Sequence, residues 1–367
     1  MEPIAGFIVA ASPRSTISGD HRSQLYRSLL MRTLKFSNVL MASVLLSFFG
    51  TSSNGQEVPA IAKHKRWVTD LAFSADGSQL ITVGGESLQY RPGELVIWDA
   101  KTGGEAARMT GHPTNIWSVS RTPDGATLLT SGYDGKVILW DAASKQPKTT
   151  LEKQKGWVRA VAFSPDGKHF ATGGEDGNVI VWETEGPKEL KTIKAHEAAV
   201  YGLAFSPDGA TLATVSTDKL GKLLDWQAGT EKAKLEGHGD AVWSVAWAKD
   251  GSLLATCGAD RKIKLWDAAG KEQATLEGHK DWVSDIAFNH DGSQLASVSH
   301  DRQIKLWDVK SKTEAATLPQ QSSTLWAVAY SPDGSLLAVG SHDGIRLWKT
   351  ADKTEVFPAP PMTAEAK

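Results

Sequence analysis

The chain has 367 residues, 40 Lys and Arg against 42 Asp and Glu, and a net charge of −2. Near neutrality excludes a nucleic-acid or polyanion binder held by bulk charge, and 41% hydrophobic with 22% charged residues excludes a disordered chain. A single cysteine, Cys257, excludes an intrachain disulfide framework and a cysteine-rich zinc site.

In chain order, residues 1–30 show no hydrophobic period and read as an unstructured leader, with Met31 a candidate true start. A basic MRTLK, the 15 uncharged residues 36–50 and then the small, polar TSSNGQE describe a secretory signal peptide over residues 31–55. A membrane-spanning helix wants about 20 apolar residues, so cleavage and export are favoured over an anchor. The expected location is periplasmic or secreted, or cytoplasmic if that reading fails.

From there a turn of the form xDG recurs, with Asp at 76, 124, 166, 208, 250, 291 and 333, a period near 42 residues. A period of this length held over most of a chain signals a repeat architecture. Each turn joins two short β-branched or aromatic runs, as in VRAVAF and HFATGG. A third run ends in Trp (VILWD, IKLWD), and a fourth, weaker run leads to His, as in QATLEGH. Four strands per unit and seven units predict an all-β, seven-bladed propeller over residues 56–357, with 358–367 a tail. Blade 7 needs a fourth strand. VPAIA at 58–62 and TEVF at 354–357 both match its place, and the first is favoured because closure by the other end of the chain locks the ring.

GH, SPDG, Asp and LWD in this order and spacing resemble the WD-repeat β-propeller family over about residues 57–357. The resemblance implies that His, Ser/Thr, Asp and Trp stitch each blade by hydrogen bonds. In blade 2 these are His112, Thr130, Asp134 and Trp140. Blade 5 has His238, Thr256, Asp260 and Trp266, and blade 6 has His279, Ser297, Asp301 and Trp307. Blade 1 has His64, Thr82 and Trp98 but Glu86 for the Asp. Blade 3 has Gln154 for the His, blade 4 carries Trp226 two residues late, and blade 7 keeps only Asp343 and Trp348 beside Gln321 and Val339.

His, Ser/Thr and Asp together invite a hydrolase reading, but a triad is one strained site, whereas residues repeated in every blade serve what every blade needs. No histidine has metal-ligand company, no glycine-rich loop opens a helix, and Cys257 reads as a small core residue, so no catalytic residue, metal or cofactor is expected.

The 14 Trp are more informative. Counted from the His or Gln of each blade, an aromatic stands at +3 (Trp67, Trp157, Trp282) or at +5 (Trp117, Tyr201, Trp243, Trp326), with an aliphatic always at +4. Offsets of two share a strand face, which puts one aromatic per blade at one mouth of the channel. The enlarged blade 1 loop with Tyr90 and Arg91 opens there. So do the residues before the tetrad Asp, among them Tyr133, Glu175, His300 and His342. In the resembled family this narrower face is the usual partner-binding surface. The sequence therefore predicts a non-catalytic scaffold that binds a protein or peptide there, and no nucleic acid. The alternative is a propeller enzyme or small-ligand sensor using the central channel.

Overall fold

A computed structural model describes residues 59–63, 66–85 and 91–357. All the described residues belong to a single unit of the chain. The leader, the signal segment, His64, Glu86, Tyr90 and the tail from 358 lie outside the described residues.

Alternating apolar runs joined by Asp-Gly turns give seven antiparallel sheets in sequence order. The turns are set by their own side chains. In blade 3 the Ser164 hydroxyl donates to Asp166 Oδ1 at 2.6 Å, which also accepts the Lys168 N–H at 3.0 Å, while Gly167 takes φ +69°. That left-handed conformation costs a Cβ-bearing residue strain and glycine almost none.

The innermost strands are Trp67–Phe73, Ile116–Arg121, Val158–Phe163, Val200–Phe205, Val242–Trp247, Val283–Phe288 and Leu325–Tyr330. Each begins with a bulge, and the residue it leaves unpaired is the +5 residue of its blade. A bulge bends a strand and re-aims a side chain. The +4 aliphatics before it, from Val68 to Leu325, are all buried.

Seven apolar clusters fill the seven gaps between neighbouring blades. The ring closes through the cluster that joins Val68, Leu80 and Trp98 of blade 1 to Ala327, Ile345 and Leu347 of blade 7. The expectation for closure is corrected here. Residues Ala60–Lys63 form one helical turn instead of a strand, with the Ile61 N–H on Gly103 O at 2.8 Å and the Ile61 side chain in that cluster. The described blade 7 sheet has three strands, and the chain's C-terminal side supplies the start of a fourth, through a Trp348–Glu355 bridge and the Val356 N–H on Leu347 O. Its 354–357 segment follows a tight turn directly from the third strand, so this pairing is local, whereas Pro59 withholds a ladder donor at the competing end.

Candidate functional site

In the complete tetrads every polar atom has a partner. His112 Nδ1 lies 3.0 Å from Asp134, its Nε2 2.9 Å from Thr130 Oγ1, and Trp140 donates its indole N–H to that hydroxyl at 2.8 Å. Blade 5 repeats this with His238, Thr256, Asp260 and Trp266, and blade 6 with His279, Ser297, Asp301 and Trp307. The satisfying tautomer carries the imidazole proton on Nδ1, facing the carboxylate, while Nε2 accepts from the hydroxyl. Although burial opposes it, the hydrogen bonds from His279 and the Lys280 N–H hold the Asp301 carboxyl down at about 2. Thr130, Thr256 and Ser297 have no exposed surface, so none of these hydroxyls is placed to attack a substrate.

The departures are resolved blade by blade. Trp226 does not end its strand: Leu224 takes the tetrad Trp position opposite Leu212, and the Trp226 indole donates to Gly209 O while its ring lies 4.9 Å from His169. His196 still bridges Asp218 and Thr214, so the chain of polar contacts survives without its Trp. In blade 3, Gln154 bonds Asn178 O rather than Thr172, which keeps only Trp182. In blade 7, Asp343 accepts from Ser322, Ser323 and Ser341 in place of His, and the buried Trp348 indole N–H has no acceptor because Val339 stands where Thr would.

The structure brings the +3 and +5 aromatics together at one mouth. Ring centroids lie 5.1 Å apart for Trp67–Trp326, 6.0 Å for Trp67–Trp117, 4.5 Å for Tyr201–Trp243 and 5.7 Å for Trp243–Trp282. His300 closes one gap, 5.3 Å from Trp282 and 4.6 Å from Trp326. Arg159 closes another, its guanidinium 4.6 Å above Trp117 and 5.3 Å above Tyr201. The rings lean inward, half-buried, and leave a cavity of about 190 Å³; Trp282 is the exposed one, at 45%. Trp157 packs edge-on against Tyr201 from outside the cavity. The residues before the tetrad Asp are drawn in because their backbone N–H groups reach the chain at +3: Glu175 to Trp157 O, His300 to Trp282 O, His342 to Thr324 O and Tyr133 to Asn115 O. His342 then lies 5.6 Å from Trp67 and Tyr133 6.5 Å from Trp117. Arg91 is exposed on its loop.

Below this mouth is a polar chamber of about 380 Å³ that the sequence reading missed. Asp70 accepts from Ser118 Oγ at 2.8 Å and the Val119 N–H at 2.9 Å, tying blade 1 to blade 2. Asp285 accepts from Ser244 Oγ at 2.6 Å and the Val328 N–H at 2.8 Å, tying blades 5, 6 and 7. Beside them Thr69 and Ser284 each donate to the next blade's innermost strand, at Ile116 O and Leu325 O, both at 2.6 Å. Burial pushes the Asp70 carboxyl up, and burial with the nearby Asp70 charge pushes Asp285 up to about 7. These carboxyl groups are latches between blades, their oxygens taken up by backbone and hydroxyl donors. The signal was present in VTDLAF and VSDIAF, where two blades replace the usual apolar or small residues by a hydroxyl and an acid. Among the described residues no group of three or more His, Cys, Asp or Glu could hold a metal ion.

Residues 116–275 match the family model described as the Echinoderm microtubule-associated protein second beta-propeller, and 55–99, 270–308 and 312–349 match that of the WD domain, G-beta repeat. Together with the stitched tetrads, these matches decide the family. The chain belongs to the WD-repeat β-propellers. The WD repeat-containing protein 1 of Xenopus tropicalis is 32% identical over 77 residues, which cover 20% of this chain and 12% of that protein. WD-repeat propellers are generally non-catalytic scaffolds that bind proteins.

Proposed function

We propose that this WD-repeat propeller is a non-catalytic platform that docks a protein or peptide partner on the tetrad-loop face, around the channel mouth. The observation that carries the reading is the aromatic circle of Trp67, Trp117, Trp157, Tyr201, Trp243, Trp282 and Trp326, with Trp282 exposed at its rim. Aromatic anchors in a desolvated centre dominate interface energetics, at about 2 kcal/mol or more for each hot spot. Variation of Tyr133, Glu175, His300 and His342 beside that circle suits a specific surface, since a purely structural one would repeat them. Export through the 31–55 segment belongs to the same proposal, and places the partner outside the cytoplasm. The test is affinity capture from the exported fraction with the wild type and with Trp157, Trp243 and Trp282 replaced by Ser. A cooperatively folding triple variant should lose the captured partner; capture that survives overturns the docking face. N-terminal sequencing of the mature protein should begin between Ser53 and Glu57, and a soluble cytoplasmic form beginning at Met1 or Met31 overturns export.

A further inference from the structure

We propose that the cavity at the channel mouth receives a carboxylate of the bound partner, held by Arg159; this rests on the docking face just proposed. The mouth is rich in hydrogen-bond donors and poor in acceptors. Trp67, Trp117, Trp243 and Trp326 line it, and the indole N–H of each is buried without an acceptor. A buried donor left unpaired costs stability, and four around one small cavity favour an incoming oxygen. Arg159 forms the floor. Of the five donors on a guanidinium, one bonds the Trp117 carbonyl at 3.1 Å, and among the described residues no carboxylate lies within 4.0 Å of it. A half-buried guanidinium with free donors, which Asp70 and Asp285 meet only electrostatically from the chamber below, matches a planar carboxylate, which it can hold through two parallel bonds.

The carboxyl acceptors nearby are committed. Ser284 donates its hydroxyl to Leu325 O, and the oxygens of Asp70 and Asp285 face inter-blade donors. A cationic side chain in the cavity would meet Arg159 directly, and an apolar one would leave all the unpaired N–H groups unpaired. A carboxylate answers both, within apolar walls that strengthen each charge-assisted bond.

The experiment is a titration of the full-length, 15N-labelled protein, reading the indole N–H signals. Three probes are used: N-acetylglutamate α-amide, whose carboxylate is a side chain; N-acetylalanine, whose carboxylate is a chain end; and N-acetylglutamine α-amide, which is neutral. Either carboxylate should shift the signals of Trp67, Trp117, Trp243 and Trp326, and the stronger of the two names the source. The neutral analogue should bind at least tenfold more weakly. Arg159→Gln should abolish the shift and Arg159→Lys should weaken it, because the planar fork is lost. Equal shifts with the neutral probe, or none with either carboxylate, overturn the proposal; this comparison needs only the wild type, whatever the variants do to folding. Loss of partner capture in the triple Trp variant, with no carboxylate shift in the wild type, would leave the docking face standing and remove this inference alone.

Discussion

Blades 5 and 7 place a Trp in the same position with different partners, and replacing each by Phe separates packing from hydrogen bonding. Trp266 is 2% exposed and donates to Thr256 at 2.8 Å; Trp348 is 5% exposed and its N–H has no acceptor. Indole to phenyl removes similar buried volume at both, at a cost of roughly 1–2 kcal/mol on the scale of large-to-small core changes. Trp266→Phe also loses a hydrogen bond and leaves Thr256 with His238 alone, adding about 1 kcal/mol. Trp348→Phe instead removes an unsatisfied buried donor, whose burial costs about 1–3 kcal/mol, so its net effect should be near zero. The expected gap is about 2 kcal/mol or more, with the blade 5 variant the less stable. Urea unfolding at constant slope reads it as a difference in midpoints, and a thermal melt should show the same order at roughly 2–4 °C per kcal/mol. Equal losses would refute the reasoning, since they would mean that the hydroxyl acceptor of the tetrad contributes nothing.

Trp266→Ala should cost about 3–5 kcal/mol, whereas Trp282→Ala, at a ring 45% exposed, should cost under about 1 kcal/mol in the same denaturation series. The pH profile of stability should have two limbs. Asp301 and Asp343, held at about 2, contribute stability above the unfolded value near 4, and it is lost as pH falls through 2. Asp285, raised to about 7, holds its proton in the folded state, so its contribution is complete below about 4 and declines as pH rises through 7. Asp285→Asn should flatten that second limb, and unfolding midpoints from pH 4 to 8 that parallel the wild type would count against it. Ending the chain at Lys353 removes the Val356–Leu347 hydrogen bond and the packing of Val356 and Phe357 on the closure cluster, and should lower the midpoint; an unchanged midpoint would show that blade 7 needs no fourth element.

The sequence by itself determined the number of blades, the phase of the tetrads and the mouth that gathers the aromatics. Each follows from a local rule repeated seven times: an Asp-Gly turn reverses the chain, alternation assigns faces, and an aliphatic at +4 anchors the innermost strand. Even the odd blades were legible as departures, since Gln154 and Val339 visibly break the pattern. What the tertiary structure alone decided lies where two repeats meet. Leu224 takes the core position six residues after Asp218, as Trp140 does after Asp134, but only the packing of blade 4 on blade 3 places Trp226 on His169. The Asp70 and Asp285 latches bond to groups 41 to 49 residues away, and Arg159 joins two rings from different blades. No periodicity along one strand encodes such contacts. The closing segment was decided in the same way, because the same edge of blade 7 could take either end, and the end that needs only a short turn occupied it.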